Sequence, residues 1–395
     1  MDKRIAERVS YFAESQTLEM AKKARELSSK GVRVINLSLG EPDFATPLHI
    51  AEAAKKAIDN GITKYSPVAG FADLRKAISE KFQRENSLKY SPEQIVVSSG
   101  AKHSIMNVIL SLINPGDEVI LPTPYWVSYP EMVKLASGVP VFVKANVKNN
   151  YKTSAEEIEK AITNKTKMFL FSSPCNPSGS VYNKQELKEI ADVFAKHPNI
   201  FIVSDEIYEH INFVSKHESI GQFENIADRV ITVNGVAKAF AMTGWRIGYI
   251  GAPENIAKAC EKIQGQFTSG ANSIAQMATL AAITSPLDPT KTMVSEFLNR
   301  RNLVLQRIKE IPEIVTNTPQ GAFYVFPDFS NFVGKTIKGT KINSTRELCY
   351  YLLDNANVSV VSGEAFGNPE CIRISYSVNQ NDLNYAFDRI KEALN

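Results

Sequence analysis

Seven short apolar runs cross the middle of the chain at regular intervals, and most lack the alternation of polar and apolar residues that marks a half-exposed strand. They occupy residues 95–98, 118–121, 139–143, 168–171, 201–204, 230–233 and 247–250. Patterns typical of amphipathic helices lie between several of them, for example at residues 102–113, 154–162 and 184–196. This rhythm predicts an α/β fold in which a mostly parallel sheet, buried on both faces, is covered by helices.

The last hundred residues follow a different pattern. A long helical pattern at about residues 290–309 precedes shorter apolar and helical segments, at residues 322–326, 345–355, 358–361, 371–375 and from 380 onward. We predict a smaller α/β unit here, and we expect the N-terminal arm to join it because the arm precedes the first regular strand–helix unit. The expected division is a large domain of residues 46–295 and a small, discontinuous domain of residues 1–45 and 296–395.

Composition narrows the class of protein. With 395 residues, 44% of them hydrophobic, the chain suits two domains with large cores. Lys and Arg total 45 against 42 Asp and Glu, a net charge of +3, which argues against nucleic acid or a membrane surface as a partner. The chain has no apolar stretch of about 18 residues that would span a membrane, and its charged N-terminus does not read as a signal peptide.

The cysteines and histidines indicate neither a disulfide framework nor a zinc site. Cys175, Cys260, Cys349 and Cys371 form no CxxC pair, and the five histidines form no HExxH motif. We therefore expect no bound metal, reduced thiols and a cytoplasmic location.

Several polar residues stand where a predicted strand ends, which is where α/β sheets bind their ligands. Asp205 follows the apolar run at 201–204, and its carboxylate suits a metal ligand, a partner for a buried cation or a helix N-cap. Tyr208, three residues later, would present its hydroxyl to the same crevice. Lys238 lies among Val, Ala and Phe residues, where desolvation would lower its pKa and make it a nucleophile toward carbonyls. A surface lysine in a small-residue loop is the alternative.

Three further segments each suggest an anion or polar ligand. Gly100 and Ala101 join a strand to a helix, whose first N–H groups suit a phosphate, although such small residues also serve tight packing. Asn176 lies in a turn stiffened by prolines, which can equally be a plain Asn-Pro turn. Arg373 lies between two isoleucines, either on an outer face or held for a carboxylate, which a guanidinium grips with two hydrogen bonds. Together these segments offer the groups that an aldehyde cofactor with a phosphate and a pyridine ring needs.

A set of motifs in this order resembles the class I/II, fold-type I aminotransferases that depend on pyridoxal 5'-phosphate (PLP). The match is closest to bacterial aspartate aminotransferases of the subgroup that includes prephenate aminotransferases. The motifs are Gly40-Glu41-Pro42-Asp43-Phe44, Lys64-Tyr65-Ser66-Pro67, Pro124-Tyr125-Trp126-Val127-Ser128-Tyr129-Pro130, Asn176-Pro177-Ser178-Gly179, Ser204-Asp205-Glu206-Ile207-Tyr208, Ala237-Lys238-Ala239-Phe240, Gly244-Trp245-Arg246-Ile247-Gly248-Tyr249 and Arg373-Ile374-Ser375-Tyr376.

The resemblance implies a role at the cofactor for each of ten residues. Lys238 would carry PLP as a Schiff base, Asp205 would pair with the pyridine nitrogen, and Tyr208 and Asn176 would bond the ring oxygen. The remaining six would stack on the ring or hold the phosphate, with Tyr65 reaching the site of a neighbouring subunit: Trp126, Gly100, Ala101, Lys102, Arg246 and Tyr65. The resemblance thus implies a homodimer with shared active sites, and Lys238, Asp205 and Tyr208 as catalytic residues.

The resemblance also implies a substrate site for an amino acid and a 2-oxo acid. Arg373 and the Gly40 backbone would bind the α-carboxylate, beside Trp126 and Asn176. Lys102, with Ser15 and Thr17 of the N-terminal arm, would bind the distal carboxylate of aspartate. The reaction implied is transfer of the amino group of aspartate to 2-oxoglutarate. Aromatic or prephenate transamination and a PLP-dependent C–S lyase on the same fold are the alternatives.

The chain departs from the family pattern in three respects. Gly235 and Ala237 replace hydroxyl residues that many relatives carry near the Schiff-base lysine. Another subgroup reads the distal carboxylate with an arginine near position 272, but residues 263–290 contain no Lys or Arg. Ala13 and Glu14 stand where prephenate-active relatives tend to carry a basic residue, which weighs against prephenate.

Overall fold

The computed structural model describes residues 4–214 and 216–395. Its helices are α1 Gln16–Ser29, α2 Leu48–Asp59, α3 Ala72–Lys81, α4 Ala101–Leu112, α5 Ser128–Leu135, α6 Ala155–Lys160, α7 Lys184–Ala195, α8 Glu254–Phe267, α9 Ser273–Thr284, α10 Asp288–Lys309, α11 Thr345–Ala356 and α12 Gln380–Leu394. Its strands are β1 Ile35–Asn36, β2 Ile95–Ser98, β3 Glu118–Pro122, β4 Val139–Val143, β5 Thr166–Ser172, β6 Phe201–Asp205, β7 Val230–Gly235, β8 Gly248–Gly251, β9 Tyr324–Val325, β10 Thr336–Ile337, β11 Thr340–Lys341, β12 Val358–Ser359, β13 Val361–Ser362 and β14 Ile372–Ser375.

The seven apolar runs form one sheet, in the order β2-β8-β7-β6-β5-β3-β4. Neighbouring strands are parallel except at β8, which is antiparallel to β2 and β7. Alternate side chains of each strand enter opposite cores: Leu170 and Val203 pack toward α4, α5 and α8, whereas Phe169 and Ile202 pack toward α6 and α7. The predicted α/β fold with a mostly parallel, covered sheet is confirmed.

Strand β4 is less buried than its apolar sequence suggests. Its residues Val139 and Phe142 are 46% and 45% exposed. Strand β4 ends the sheet and pairs with β3 alone, so helices cover it incompletely. An apolar run predicts a strand, but its place in the sheet decides how far it is buried.

A second, smaller group of strands is built from both ends of the chain. Strand β1 pairs in parallel with β12, and a separate three-stranded sheet has the order β13-β14-β9. Met20, Ile35 and Leu37 pack in the same core as Phe323 and Val358. On the basis of these contacts we propose that residues 1–45 and 296–395 form one domain and residues 46–295 the other. Within the described residues, no helix is both long and apolar enough to cross a membrane.

Candidate active site

The carboxyl ends of β5, β6 and β7 open into a pocket of about 260 Å³. Most of the predicted site residues line it: Ser15, Thr17, Gly40, Ala101, Lys102, Trp126, Asn176, Asp205, Tyr208, Lys238, Arg246 and Arg373. Gly100 lies just behind this lining, at the N-cap of α4. Tyr65 lies apart, with its side chain 97% exposed. Residues from most of the chain therefore meet at one edge of the sheet, as the strand-end positions predicted.

Asp205 is a buried carboxylate without a cationic partner among the described side chains. Its Oδ2 accepts a hydrogen bond from the Tyr129 hydroxyl at 2.7 Å, and its Oδ1 accepts one from the Ile207 backbone N–H at 3.2 Å. Burial raises the pKa of Asp205 to about 6, although these two hydrogen bonds oppose the shift. The site therefore holds a carboxylate that gains stability from any cation brought to it.

Lys238 follows β7 and reaches the Gly40 carbonyl, to which its Nζ donates at 2.6 Å. Desolvation lowers the pKa of Lys238 to about 8, while Glu41 raises it, and Arg373 and Arg246 add to the decrease. An amine with this pKa is partly neutral near physiological pH, so it can act as a nucleophile and as a general base.

The start of α4 provides a site for an anion. Gly100 caps the helix without a side-chain hydrogen bond and has a φ of 91°, and no acidic residue occupies the first turn. A methyl group at Gly100 would overlap the Arg246 guanidinium, so glycine allows this cation to approach the helix start. Free N–H groups beside a guanidinium suit a phosphate.

Gly235, which replaces a hydroxyl residue of many relatives, is closely packed, because an added Cβ would lie 2.9 Å from the Ile247 carbonyl oxygen.

Arg373 is almost fully buried and only partly paired. Its Nη1 donates to Asn176 Oδ1 at 3.0 Å, and its Nη2 donates to the Ser38 carbonyl. Its Nε is buried and contacts no acceptor among the described residues. The guanidinium lies 4.7 Å from the centroid of the Tyr324 ring. A buried guanidinium with an open donor and no carboxylate partner suits a carboxylate ligand.

The pocket lining also includes the groups expected for a distal carboxylate. Lys102 Nζ lies 4.9 Å from the centroid of the Trp126 ring, and burial together with Arg246 lowers the pKa of Lys102. Ser15 and Thr17 line the same pocket, and the Thr17 hydroxyl is buried without a partner among the described residues. Asn272, where another subgroup has an arginine nearby, instead caps α9 through its side chain.

Two buried tyrosines of the pocket, Tyr129 and Tyr324, were not predicted as site residues from the sequence. Tyr129 donates to Asp205, and the Tyr208 and Tyr324 hydroxyls lie 2.7 Å apart. Tyr129 follows Trp126 by three residues at the start of α5, so the helical spacing could have placed it near the pocket. Tyr324 lies in an apolar strand that reads as ordinary core, and nothing in its local pattern marks it.

Comparison with known proteins identifies the family. The family model for class I and II aminotransferases matches residues 32–390. The chain belongs to this family. A probable aspartate/prephenate aminotransferase of Rhizobium leguminosarum bv. phaseoli is 46% identical over 98% of both chains. A bifunctional aspartate and glutamate/aspartate-prephenate aminotransferase of Petunia hybrida is 45% identical over 100% of this chain and 83% of its own.

Solved structures agree with this assignment. The aspartate aminotransferase of Rhizobium meliloti superposes with a TM-score of 0.95 at 40% identity, covering 99% of this chain and 98% of that one. The aspartate aminotransferase of Thermus thermophilus, solved with maleate, gives 0.93 at 39% identity and 99% coverage of both chains. The predicted fold-type I architecture, aminotransferase activity and PLP cofactor are confirmed by these relationships.

The pocket of this aminotransferase fits PLP by its own chemistry. The N–H groups of α4 and Arg246 suit the phosphate, and the cation-free carboxylate of Asp205 suits a protonated ring nitrogen. Trp126 offers an aromatic face at the pocket wall, and Lys238 offers an amine of lowered pKa for the aldehyde. Each unsatisfied group therefore has a counterpart on the cofactor.

Proposed function

We propose that this protein transfers the amino group of aspartate to 2-oxoglutarate, as a cytoplasmic homodimer with shared active sites. The observation that carries the choice of substrate is a pair of cationic groups in one pocket, Arg373 and Lys102. Among the described residues, Arg373 Nε and the Thr17 hydroxyl of the same pocket have no hydrogen-bond partner. A dicarboxylic amino acid supplies one carboxylate to each. The names of the similar proteins from Rhizobium meliloti and Thermus thermophilus support the same substrate.

The residues of the pocket divide the work of the reaction among them. Bound PLP supplies an aldehyde for the amino group and a ring that accepts the electron pair left at Cα. Arg373 holds the α-carboxylate, so that the Cα–H bond faces Lys238. The neutral amine of Lys238 would take the proton from Cα, and the resulting ammonium would give it to the cofactor carbon that carried the aldehyde. Asp205 would hold a positive charge at the ring nitrogen of the cofactor, and Tyr208 and Asn176 would orient the ring by hydrogen bonds to its oxygen.

Exposed aromatic residues support the proposed homodimer. Tyr65 is 97% exposed and Phe267 is 69% exposed. Their segments are neighbours, because the Ser66 hydroxyl donates to the Ala271 carbonyl at 3.0 Å. Adjacent exposed aromatic side chains mark an interaction surface. The family resemblance implies that Tyr65 of a second copy on this surface would reach the neighbouring phosphate site.

A second substrate class, aromatic amino acids or prephenate, is favoured by one observation. Lys102 is a flexible point charge, which discriminates between side chains less sharply than a forked arginine. The Rhizobium leguminosarum and Petunia relatives carry prephenate in their names. Glu14 still weighs against prephenate as the substrate. The N–H of the neighbouring Ala13 donates a hydrogen bond to Glu131 Oε2 at 3.0 Å, so a second carboxylate lies beside this segment.

The Lys102→Met variant tests the proposed substrate. We expect kcat/KM to fall more for aspartate than for phenylalanine, because the distal carboxylate loses its charged partner. The difference should correspond to roughly 1–3 kcal/mol of transition-state free energy. Lys196→Met, at an exposed lysine paired with Glu159, serves as the control and should change neither value. An equal loss for both amino donors would refute the role of Lys102 in reading aspartate. Pyruvate release from cystathionine, followed in the same preparations, would instead reveal C–S lyase activity.

A further inference from the structure

Tyr324 links the two proposed domains at the centre of the pocket. It lies on β9 in the small domain, whereas Tyr208 follows β6 in the large one. Their hydroxyl oxygens are 2.7 Å apart, and their side chains are 1% and 4% exposed. Burial raises the pKa of both phenols above its ordinary value, so both stay protonated at neutral pH. The pair is thus a buried hydrogen bond between two neutral hydroxyls.

The Tyr324 ring is fixed on two further sides by groups of the substrate site. A methyl group at Gly40 would overlap the Tyr324 hydroxyl, so the chain at Gly40 passes directly over it. The Arg373 guanidinium lies over the ring face, 4.7 Å from its centroid. Tyr324 therefore contacts Tyr208, Gly40 and Arg373 at once, and it cannot turn away from Tyr208 without disturbing the other two.

Counting protons gives this hydrogen bond a direction. Each phenol has one proton to donate. If Tyr208 donates its proton to the ring oxygen of the cofactor, as proposed above, it can only accept from Tyr324. The Tyr324 proton then points at the Tyr208 oxygen, and such a chain of donors polarises the outer hydroxyl and strengthens its donation.

We propose that Tyr324 is a positioning residue that acts through Tyr208: it donates to the Tyr208 hydroxyl and so strengthens the hydrogen bond that Tyr208 gives to the cofactor ring oxygen. This inference rests on the proposed role of Tyr208, but it does not depend on which amino acid is the substrate. Because the Tyr324 hydroxyl comes from the small domain, the strength of this bond also depends on how that domain sits against the large one.

The Tyr324→Phe variant tests this proposal through the colour of the loaded enzyme. A stronger donor at the ring oxygen favours the deprotonated form of the cofactor, so wild type should change its absorption band at a lower pH than the variant. We expect the midpoint to rise by about 0.5 pH unit in Tyr324→Phe, which is a threefold change in proton affinity. The control is Tyr376→Phe: Tyr376 is equally buried, and its hydroxyl donates to the Ala322 carbonyl at 3.3 Å, outside the pocket lining. Its midpoint should match wild type.

A second pair of variants shows whether Tyr324 acts through Tyr208. In a Tyr208→Phe background, Tyr324→Phe should move the midpoint no further. Gly40→Ala, which displaces the Tyr324 hydroxyl from the opposite side, should raise the midpoint even if Tyr324→Phe folds poorly. In Tyr324→Phe, kcat should fall with little change in KM, because both polar contacts of Arg373 remain.

Three results would overturn the proposal: an unchanged midpoint in Tyr324→Phe, the same shift in Tyr376→Phe, or a full shift in the Tyr208→Phe background. The midpoint is read without any substrate. The midpoint therefore tests the role of Tyr324 independently of the substrate, and the kinetics of Lys102→Met test the substrate independently of Tyr324.

Discussion

Two adjacent residues at the end of β6, Asp205 and Glu206, face two very different groups of buried polar side chains. Asp205 lines the active-site pocket and receives one phenol and one backbone N–H. Glu206 accepts hydrogen bonds from Ser219 at 2.6 Å, His217 Nε2 at 2.8 Å and Ser204 at 2.9 Å. Glu206 belongs to what we term the charge cluster, which consists of Lys81, Asn86, Glu206, Glu209, His217 and Ser219.

The charge cluster supplies its own cations. The Lys81 ammonium contacts Glu209 and donates to Asn86 Oδ1 at 2.9 Å. The carboxylates of Glu206 and Glu209 and the imidazole of His217 have ligand atoms within 4.8 Å of one another, and the Lys81 ammonium brings a positive charge to this group. Although burial opposes it, Lys81, His210 and His217 hold the pKa of Glu209 well below its ordinary value. The Glu206 carboxylate raises the pKa of His217, although burial of the imidazole acts to lower it.

The pocket shows the opposite trend. Burial moves the pKa of Asp205 up to about 6 and that of Lys238 down to about 8, so each charged form is destabilised. The carboxylates of the charge cluster have their hydrogen-bond and cationic partners within the protein, whereas the pocket keeps the groups of Asp205 and Lys238 available for cofactor and substrate. Substitutions in the two groups should therefore separate stability from activity.

The largest effect is expected for Lys238→Ala. Turnover of aspartate should fall at least about a thousandfold, roughly 4 kcal/mol of transition-state free energy, because the variant lacks both base and nucleophile. Borohydride should fix the cofactor covalently to wild type and to the control Lys291→Ala, an exposed lysine of α10, but not to Lys238→Ala. The melting temperature of the cofactor-free protein should not fall. Near-native turnover in Lys238→Ala would refute the proposed role of this residue.

The next largest effect, on stability alone, is expected for Lys81→Met. It would leave the buried Glu209 carboxylate without its main cation, at a cost of about 3–5 kcal/mol in the free energy of unfolding. The measurement is urea unfolding of the cofactor-free protein, with Lys76→Met on the exposed face of α3 as the control. Adding Glu209→Gln should restore part of the loss, since the uncompensated charge is then removed. A loss below about 1 kcal/mol would mean that water reaches the cluster.

The smallest effect is expected for Asp205→Asn, and it should depend on pH. The pKa of Asp205 is raised from its ordinary value of 3.8 to about 6 in the folded protein. The carboxyl therefore favours the folded state below pH 3.8, where it is protonated, and this contribution to stability is lost as the pH rises through about 6. Near pH 8 the free energy of unfolding should therefore be about 3 kcal/mol larger for the variant than for wild type, and this difference should vanish near pH 4. Urea unfolding of the cofactor-free proteins at both values checks this.

The same Asp205→Asn variant should retain cofactor poorly and turn over slowly, in contrast to its higher stability. Asp354→Asn, at an exposed aspartate of α11, is the matched control and should show none of these changes. A destabilised Asp205→Asn at pH 8 would show that the carboxylate contributes to the fold, and the contrast between pocket and charge cluster would then fail.

The sequence by itself determined the large sheet and most of the pocket. Apolar runs of strand length separated by helical patterns are local features, and each of the seven runs became a strand of one sheet. Because parallel strands carry their ligands at their carboxyl ends, residues such as Asp205 and Lys238 could be placed together before any contact was known. The family motifs then gave each of them a proposed role.

Only the tertiary structure decided the pairings between distant segments. Lys81 and Glu209 are 128 positions apart, and Tyr208 and Tyr324 are 116 apart, so no local pattern indicates that they meet. Likewise, only the order of strands in the sheet leaves Phe142 of β4 half exposed. Local sequence sets which element forms and which face is apolar. The partner of a buried polar group is set by how those elements pack, because its energy depends on groups that only the complete fold brings within hydrogen-bond distance.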